Sequence, residues 1–185
     1  MLGRGVEREV KLRFPDIEDA RRRVLALGAS PLRPRRLQHD VLLDSAEGRL
    51  QAAGTALRVR ADGERAFLTF KGPVLPGPLK SREEIETEAA SAGTLLALLA
   101  ALGYTPAFRY EKYREEYAAD GAVIAIDETP IGSFVELEGE PAAIHRLAAR
   151  LGFGTADYVT ASYRALFIAS GTPGPDMLFS VASRP

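Results

Sequence analysis

The chain of 185 residues contains no cysteine and no tryptophan, and it has only two histidines. Without cysteine, disulfide bonds, thiolate-bound zinc and a thiol nucleophile are excluded. No apolar run is long enough to span a bilayer, and the N-terminus lacks the basic-then-apolar pattern of a secretion leader. We therefore expect a cytoplasmic protein without a membrane partner, in which any metal site uses carboxylates or the two histidines.

The charge has no excess of either sign. The chain has 24 Lys and Arg against 25 Asp and Glu, a net charge of −1, so a strong overall attraction to nucleic acid is not expected. The length and the hydrophobic content of 46% suit one globular domain, which we place at residues 1–170. Residues 171–185 lack any periodicity and are expected to form a disordered tail.

The spacing of apolar residues predicts helices in some segments and strands in others. Helices are expected at 16–27, 94–102 and 141–151, each followed by glycine, with a further helix over 158–170. Asp-Gly pairs at 62–63 and 120–121 predict tight hairpins. Eight strands are expected, at 6–14, 37–44, 56–61, 66–71, 82–89, 109–117, 123–127 and 132–138.

Several of these strands carry ionised side chains at alternate positions. In VEREVKLRF, Glu7, Glu9 and Lys11 oppose Val10 and Leu12. Arginines alternate with aliphatic residues in ALRVR, and glutamates do so in FVELEG. Because successive strand residues point to opposite faces, each strand has one charged and one apolar face. This fits an antiparallel sheet with one solvated face, and it also fits a closed barrel with a charged interior.

A charged interior would have its own ligand chemistry. Clustered Lys and Arg bind anions with many oxygens, of which phosphates are the most common. Clustered Glu bind hard cations such as Mg²⁺ or Mn²⁺. A complex of a metal ion with a triphosphate would satisfy both groups of residues.

The order of the charged motifs resembles the CYTH superfamily, also called triphosphate tunnel metalloenzymes. The Glu-x-Glu-x-Lys motif of that superfamily is present as Glu7, Glu9 and Lys11. The motifs that follow it are ALRVR, LTFKG, SREEIE, YEKYR, VIAID, GSFVELE and SYRALF. The resemblance implies an α+β fold in which an eight-stranded antiparallel barrel forms a tunnel with helices packed on its outside.

The resemblance also implies a role for each charged position. The residues that match the metal-binding carboxylates are Glu7, Glu9, Glu136 and Glu138, for Mg²⁺ or Mn²⁺. Those that match the triphosphate-binding cations are Lys11, Arg58, Arg60, Lys71, Arg82, Lys112 and Arg114. Those expected to act in catalysis are Glu7, Glu9, Lys11 and Asp127. For Glu84 and Glu86, ligand contact and simple ion pairs in the tunnel wall are equally open.

The resemblance leaves three functions open. The first is a metal-dependent triphosphatase acting on inorganic triphosphate or an ester such as thiamine triphosphate. The second is a class IV adenylate cyclase, which LGYTPAF followed by YEKYR favours, although the His-Phe pair common before the first Glu of such cyclases is missing. Many relatives also have a basic residue where this chain has Ala161. The third is a non-catalytic binder of polyphosphate or nucleotide. We favour the triphosphatase, with no nucleic acid partner and with a homodimer as one possible assembly.

Overall fold

The protein consists of eight strands and five α-helices within residues 3–180, the part of the chain described by a computed structural model. The strands are β1 (Gly3–Phe14), β2 (Ser30–Ser45), β3 (Ala56–Asp62), β4 (Arg65–Lys71), β5 (Lys80–Ala89), β6 (Tyr104–Ala119), β7 (Ala122–Thr129) and β8 (Gly132–Glu138). The helices are α1 (Ile17–Ala26), α2 (Arg49–Ala52), α3 (Ala92–Ala101), α4 (Pro141–Arg150) and α5 (Tyr163–Ser170).

All eight strands join in one closed antiparallel barrel, in the order β1-β5-β4-β3-β2-β6-β7-β8. Strand β1 closes it, because its first half pairs with β5 and its second half pairs with β8. Closure removes the free strand edges that an open sheet would present. The predicted eight-stranded barrel with external helices is therefore confirmed.

The two faces of each strand differ as the alternation predicts. On β1, Val10 and Leu12 are completely buried on the outside of the barrel, where they join a hydrophobic cluster with residues of α1 and α4. Helix α3 covers another part of the outside, with Leu99 packed near Val59 of β3. None of the helices within residues 3–180 is both long and apolar enough to cross a membrane.

Strands β2 and β6 are longer than predicted, with 16 residues each. The added part of β2 contains prolines at 31 and 34, a residue type that is uncommon inside a sheet. The register between β2 and β6 shifts between Pro31 and Arg33 and again between Arg33 and Arg36. Such irregular pairing accommodates proline, which cannot donate a backbone hydrogen bond.

One end of the barrel is filled by aromatic side chains and by the C-terminal part of the described chain. The buried cluster consists of Phe108, Tyr110, Phe134, Tyr163, Phe167 and Met177. Helix α5 begins at Tyr163, with Ser162 as its N-cap, so the predicted helix over 158–170 is too long. Val159 instead pairs with Lys11 of β1 in an isolated bridge.

The expected disorder from residue 171 onward does not hold for the described part of that segment. Met177 is completely buried, its N–H donates to Arg109 O at 3.0 Å, and its carbonyl accepts from Glu111 N at 2.9 Å. It thereby pairs with β6 beyond the point where pairing with β7 ends. Residues 181–185 lie outside the described residues.

Candidate functional site

The barrel encloses a cavity of about 900 Å³ whose walls are mostly ionised. Thirteen Lys and Arg residues line it against nine Asp and Glu, and two further acids, Asp40 and Asp127, are buried against lining arginines, which leaves an excess of two positive charges in a chain whose net charge is −1. Cations are therefore concentrated inside the tunnel. An enclosed site of this kind attracts a small polyanion more strongly than the whole protein does.

Strands β1 and β8 bring carboxylates and lysines together on one wall. Lys11 Nζ lies 3.1 Å from Glu9 Oε1 and 3.2 Å from Glu136 Oε1. Lys80 Nζ, from the start of β5, lies 2.6 Å from the same Glu9 oxygen. Burial opposes ionisation of Glu9, but Lys11 and Lys80 outweigh it and hold the pKa of this carboxyl below its usual range. Glu9 is therefore an anion with two cationic partners.

On the neighbouring wall, Asp127 of β7 organises the cations of β6. Arg114 donates to both Asp127 oxygens, at 2.6 and 2.5 Å, and also forms an ion pair with Glu136. Lys112 Nζ lies 2.9 Å from Asp127 Oδ2, and Tyr163 Oη donates to that oxygen at 2.7 Å. Burial and the adjacent Arg114 lower the pKa of Lys112 to about 8.

The opposite wall is built by β2, β3, β4 and β5. Arg60 Nε donates to Asp40 Oδ1 at 2.8 Å, and Arg58 lies 3.5 Å from the same oxygen. Arg58 also contacts Thr69 at 3.1 Å and Glu86 at 3.4 Å. The buried side-chain atoms of this wall that make no hydrogen bond within the described chain include Asp40 Oδ2, Gln38 Oε1 and Arg58 Nε. The wall thus has unused hydrogen-bonding capacity.

Glu7 and Glu84 share one lysine at the cavity wall. Lys71 Nζ lies 2.6 Å from Glu7 Oε2 and 2.5 Å from Glu84 Oε2. Burial and the nearby negative charge of Glu9 raise the pKa of Glu7 to about 7, although Lys71 acts in the opposite direction. Crowded carboxylates with a raised pKa are a favourable place for another cation.

The structure brings most of the predicted site residues to the cavity surface. Those that line it are Glu7, Glu9, Lys11, Arg58, Arg60, Lys71, Arg82, Lys112, Arg114, Glu136 and Glu138. Glu84 and Glu86 also line it, and both form ion pairs, with Lys71 and Arg58 respectively. Arg82 differs from the other cations because its guanidinium donates to the backbone carbonyls of Gly72 and Lys71, at 2.8 and 2.9 Å.

Asp127 does not reach the cavity surface. It is completely buried and is absent from the residues that line the cavity within the described chain. At its level the interior is filled by Phe134 and Tyr163. Its position therefore supports a role in holding Lys112 and Arg114 rather than direct contact with a substrate.

The polar residues of the site that sequence reasoning missed include Gln38, Asp40, Asp62 and Lys80. Asp62 accepts hydrogen bonds from Arg33, Arg36 and Gln38. The alternation of Gln38 and Asp40 with Leu37 and Val41 places the two polar residues on one face, as on the other strands. His39 conceals this pattern because it is a polar residue on the outer face, where it lies 3.0 Å from Glu111.

The predicted carboxylates suit a hard divalent cation in their chemistry. Glu9 of β1 is paired in register with Glu138 of β8, and Lys11 is paired with Glu136, so the four carboxylates lie on adjacent strands. Within residues 3–180, however, no three His, Asp or Glu side chains converge tightly enough to hold a metal ion. The ion pairs explain this, because Lys11, Lys80 and Arg114 hold Glu9 and Glu136.

The strands form a closed barrel, and its tunnel is lined by many Lys and Arg side chains together with several carboxylates. The CYTH domain family matches residues 5–163, and the chain belongs to this family. Members of the family are enzymes that act on triphosphates or ATP and generally depend on a metal ion.

Relatives with sequence or structural similarity agree with this assignment. A Methanocaldococcus jannaschii protein named provisionally as an adenylate cyclase is 27% identical over 134 residues, which cover 72% of this chain and 76% of that protein. A solved structure from Pyrococcus horikoshii has a TM-score of 0.75 at 25% identity, covering 89% of this chain and 99% of its own. A Hippeastrum structure has a TM-score of 0.68 at 20% identity, covering 92% and 97%, and a dominant triphosphatase activity is described for that protein.

Proposed function

We propose that this protein is a metal-dependent triphosphatase that cleaves a phosphoanhydride bond of inorganic triphosphate or of a triphosphate ester such as thiamine triphosphate. The observation that carries the proposal is the concentration of thirteen Lys and Arg side chains around the enclosed cavity. A triphosphate carries several negative charges, and its many oxygens match the donors of Lys and Arg. The same cations lie inside a tunnel, so no nucleic acid or membrane partner is expected.

Each group of residues has a separate task in this proposal. The residues that would bind the phosphate oxygens are Lys11, Arg58, Arg60, Lys71, Lys112 and Arg114, with Arg82 on the wall beside them. Glu7, Glu9, Glu136 and Glu138 would hold Mg²⁺ or Mn²⁺. When bound, the metal ion supplies positive charge that offsets the charge on the transferred phosphoryl group.

In the proposed reaction, catalysis depends mainly on neutralising the negative charge that develops as bonds form and break. A water oxygen forms a new bond to the terminal phosphorus while the water loses a proton to a tunnel carboxylate or to solvent, and the bond from that phosphorus to the bridging oxygen breaks. The leaving diphosphate portion keeps the bonding electrons, so negative charge grows on the bridging oxygen. Buried donors such as Lys112 and Arg114, which Asp127 holds in place, would stabilise that charge.

An adenylate cyclase is the second candidate. The stretch LGYTPAF followed by YEKYR resembles the cyclase branch, and the M. jannaschii relative carries a provisional cyclase name. In that reaction the ribose 3′-hydroxyl of ATP attacks the α-phosphate and pyrophosphate leaves. The same tunnel cations would neutralise the leaving group, so product analysis has to distinguish the two reactions.

One experiment separates the candidates. The protein is incubated with Mg²⁺ or Mn²⁺ and with inorganic triphosphate, thiamine triphosphate or ATP, and the products are identified by chromatography. Release of phosphate from a triphosphate supports the triphosphatase, whereas cyclic AMP with pyrophosphate supports the cyclase. Tight binding without turnover of any of the three would leave the non-catalytic binder. The cytoplasmic location and a homodimer remain predictions.

A further inference from the structure

We infer that Tyr163 is a positioning residue, whose ring holds the side chains of Lys11 and Lys112 in place for contact with the phosphates of a triphosphate. The inference rests on the proposed function, because it takes both lysines to bind phosphate oxygens. Tyr163 is the first residue of α5, it is only 6% exposed, and it lines the cavity. An aromatic side chain from the C-terminal part of the chain thus lies among the charges of the tunnel.

Lysine occurs at only four positions of the chain, and all four lie in the tunnel. Lys11, Lys71, Lys80 and Lys112 line the cavity, and none of these side chains is more than 13% exposed. Arginine, in contrast, occurs both in the tunnel and on the outer surface, as at Arg49. A lysine ammonium is a compact charge on a flexible four-carbon stem. Contacts that fix these stems therefore decide where the positive charge lies.

The ring of Tyr163 lies close to two of these ammonium groups. The Nζ atoms of Lys11 and Lys112 are 5.1 and 5.0 Å from the centroid of the ring. A cation within about 6 Å of a ring centroid is attracted to the face of the ring, most strongly where water is excluded. Lys11 belongs to β1 and Lys112 to β6, two strands that are not neighbours in the barrel. The ring therefore connects two cations that strand pairing does not hold together.

The orientation of the ring is itself fixed by two contacts. Its hydroxyl donates to Asp127 Oδ2 at 2.7 Å, and its face and edge meet Phe134 at an interplanar angle of 76°. Burial opposes ionisation of Asp127, but Arg114 and Lys112 outweigh it and hold the pKa of this carboxyl below its usual range. The hydroxyl thus donates to a carboxylate, and the ring cannot turn without losing that hydrogen bond.

The residues before Tyr163 fix the backbone of Lys11 as well. Pairing of β1 with β5 ends at Glu9, so the same side of β1 is free at Lys11. Val159 occupies it, since Lys11 N donates to Val159 O at 3.0 Å and Val159 N donates to Lys11 O at 2.9 Å. Ser162 then caps α5 by accepting from Ala165 N at 3.2 Å. Residues 159–163 therefore hold both the main chain and the side chain of one lysine.

An aromatic ring suits this task better than another acid would. Lys11 already contacts Glu9 and Glu136, and Lys112 contacts Asp127. Each carboxylate neutralises part of the charge that a phosphate would use. The ring carries no net charge, so it attracts the ammonium groups and leaves their positive charge available. Because a lysine loses much rotamer freedom when it is fixed, a ligand that meets ordered lysines binds more tightly.

The first test uses the four lysines as probes, by nuclear magnetic resonance of ¹³C-lysine-labelled protein without ligand. Protons over the face of an aromatic ring are shifted upfield. The ε-methylene signals of Lys11 and Lys112 should therefore lie upfield of those of Lys71 and Lys80, which have no ring beneath them within residues 3–180. Single Lys→Arg variants assign the signals. Tyr163→Phe should keep the upfield shifts and Tyr163→Leu should lose them.

The wild-type spectrum is decisive even if a variant does not fold. Lys11 and Lys112 signals without an upfield shift would overturn the inference.

The second test measures the binding of inorganic triphosphate by calorimetry in EDTA. We expect Tyr163→Leu to weaken binding about tenfold and Tyr163→Phe to change it less than about twofold, because phenylalanine keeps the ring. Phe167→Leu is the matched control, since Phe167 is a buried aromatic residue of the same helix and cluster but is not among the described residues that line the cavity. It should change the affinity less than about twofold. An equal loss in Phe167→Leu and Tyr163→Leu, or an unchanged affinity in Tyr163→Leu, would overturn the inference.

These measurements also separate the inference from the proposed function, because neither of them requires turnover. Upfield lysine signals and weaker binding in Tyr163→Leu, without phosphate release by the wild type, would retain the positioning role and reject the triphosphatase. Phosphate release by the wild type, with unchanged binding in Tyr163→Leu, would reject the positioning role alone.

Discussion

Lys11 lies 3.2 Å from Glu136, the residue directly opposite it on β8. A predicted phosphate-binding cation is thus paired with a predicted metal-binding carboxylate. The same holds for Arg114 with Glu136 and for Lys71 with Glu7. When a triphosphate and a metal ion bind together, the cation of each pair would contact a phosphate oxygen and the carboxylate would contact the metal ion. Each ligand would thereby release the residue that binds the other ligand, so the two ligands should support each other's binding.

The first prediction follows from this exchange and concerns Glu136→Gln. Without the carboxylate, Lys11 and Arg114 are freer to contact phosphate, so metal-free triphosphate should bind several-fold more tightly than it does to the wild type. Metal-dependent turnover should nevertheless be abolished, because a metal ligand has been removed. The two effects are measured by calorimetry in EDTA and by phosphate release with Mg²⁺ or Mn²⁺.

The matched control for this prediction is Glu140→Gln, which removes an exposed glutamate outside the barrel. That variant should change neither affinity nor turnover. Glu9→Gln should also lose turnover, since Glu9 belongs to the same set of carboxylates. If Glu136→Gln kept its activity, Glu136 would have no place in the metal site.

The second prediction is that Arg58→Ala weakens triphosphate binding more than diphosphate binding. Arg58 is buried in the tunnel wall with unused hydrogen-bonding capacity at Nε. Loss of one charged hydrogen bond should cost about 1.5–3 kcal/mol of triphosphate binding free energy. Calorimetric titration with both anions gives the comparison, and Arg49→Ala, at an exposed arginine, is the control. An equal loss for both anions would mean that Arg58 does not distinguish their lengths.

The third prediction concerns the pH dependence of stability in the absence of metal. Between the ordinary pKa of 4.5 and the raised pKa of about 7, Glu7 keeps its proton in the folded state but loses it in the unfolded state. The unfolded state then binds fewer protons, so this residue lowers the free energy of unfolding as the pH rises through that interval. In EDTA, Glu7→Gln should therefore lose less stability than the wild type between pH 5 and pH 8, on the order of 1 kcal/mol or more. If the free energy of unfolding changed by the same amount between pH 5 and pH 8 in both proteins, this prediction would be wrong.

The sequence predicts which face a residue occupies better than how deep it lies. Alternation placed Glu9, Lys11 and Glu136 on one face, because a shift of one residue would have put leucines and valines there, and the resemblance to the CYTH superfamily made that face the lumen. It also placed Asp127 on the inner face, but it could not show that Phe134 and Tyr163 fill the barrel at that level. Depth depends on packing between strands and helices that are far apart in the chain.

The fourth prediction concerns the C-terminal segment after residue 170, which was expected from the sequence to be a disordered tail. Met177 has no exposed surface and packs in the aromatic cluster that fills one barrel end. Met177→Ala should therefore lower the free energy of unfolding by about 2–5 kcal/mol, the usual cost of truncating a buried methionine. Its neighbour Leu178 is 45% exposed, so Leu178→Ala should have a much smaller effect in the same denaturant titration. Similar small effects for both would show that the segment does not contribute to the folded core.

The last prediction concerns the charge of the tunnel, whose lining contains thirteen cations and nine acids. Because like charges confined in a cavity repel one another, a bound polyanion should stabilise the folded state, and it has no comparable site in the unfolded chain. At a concentration about 100 times its dissociation constant, triphosphate with Mg²⁺ or Mn²⁺ should add about 2.7 kcal/mol to the free energy of unfolding. Monophosphate at equal concentration should add less, because one phosphate cannot contact cations on opposite walls. Melting scans with each anion, at matched ionic strength, provide the measurement. If triphosphate and monophosphate raise the melting temperature equally, the stabilisation reflects general ionic screening, and the tunnel does not bind a chain of phosphates.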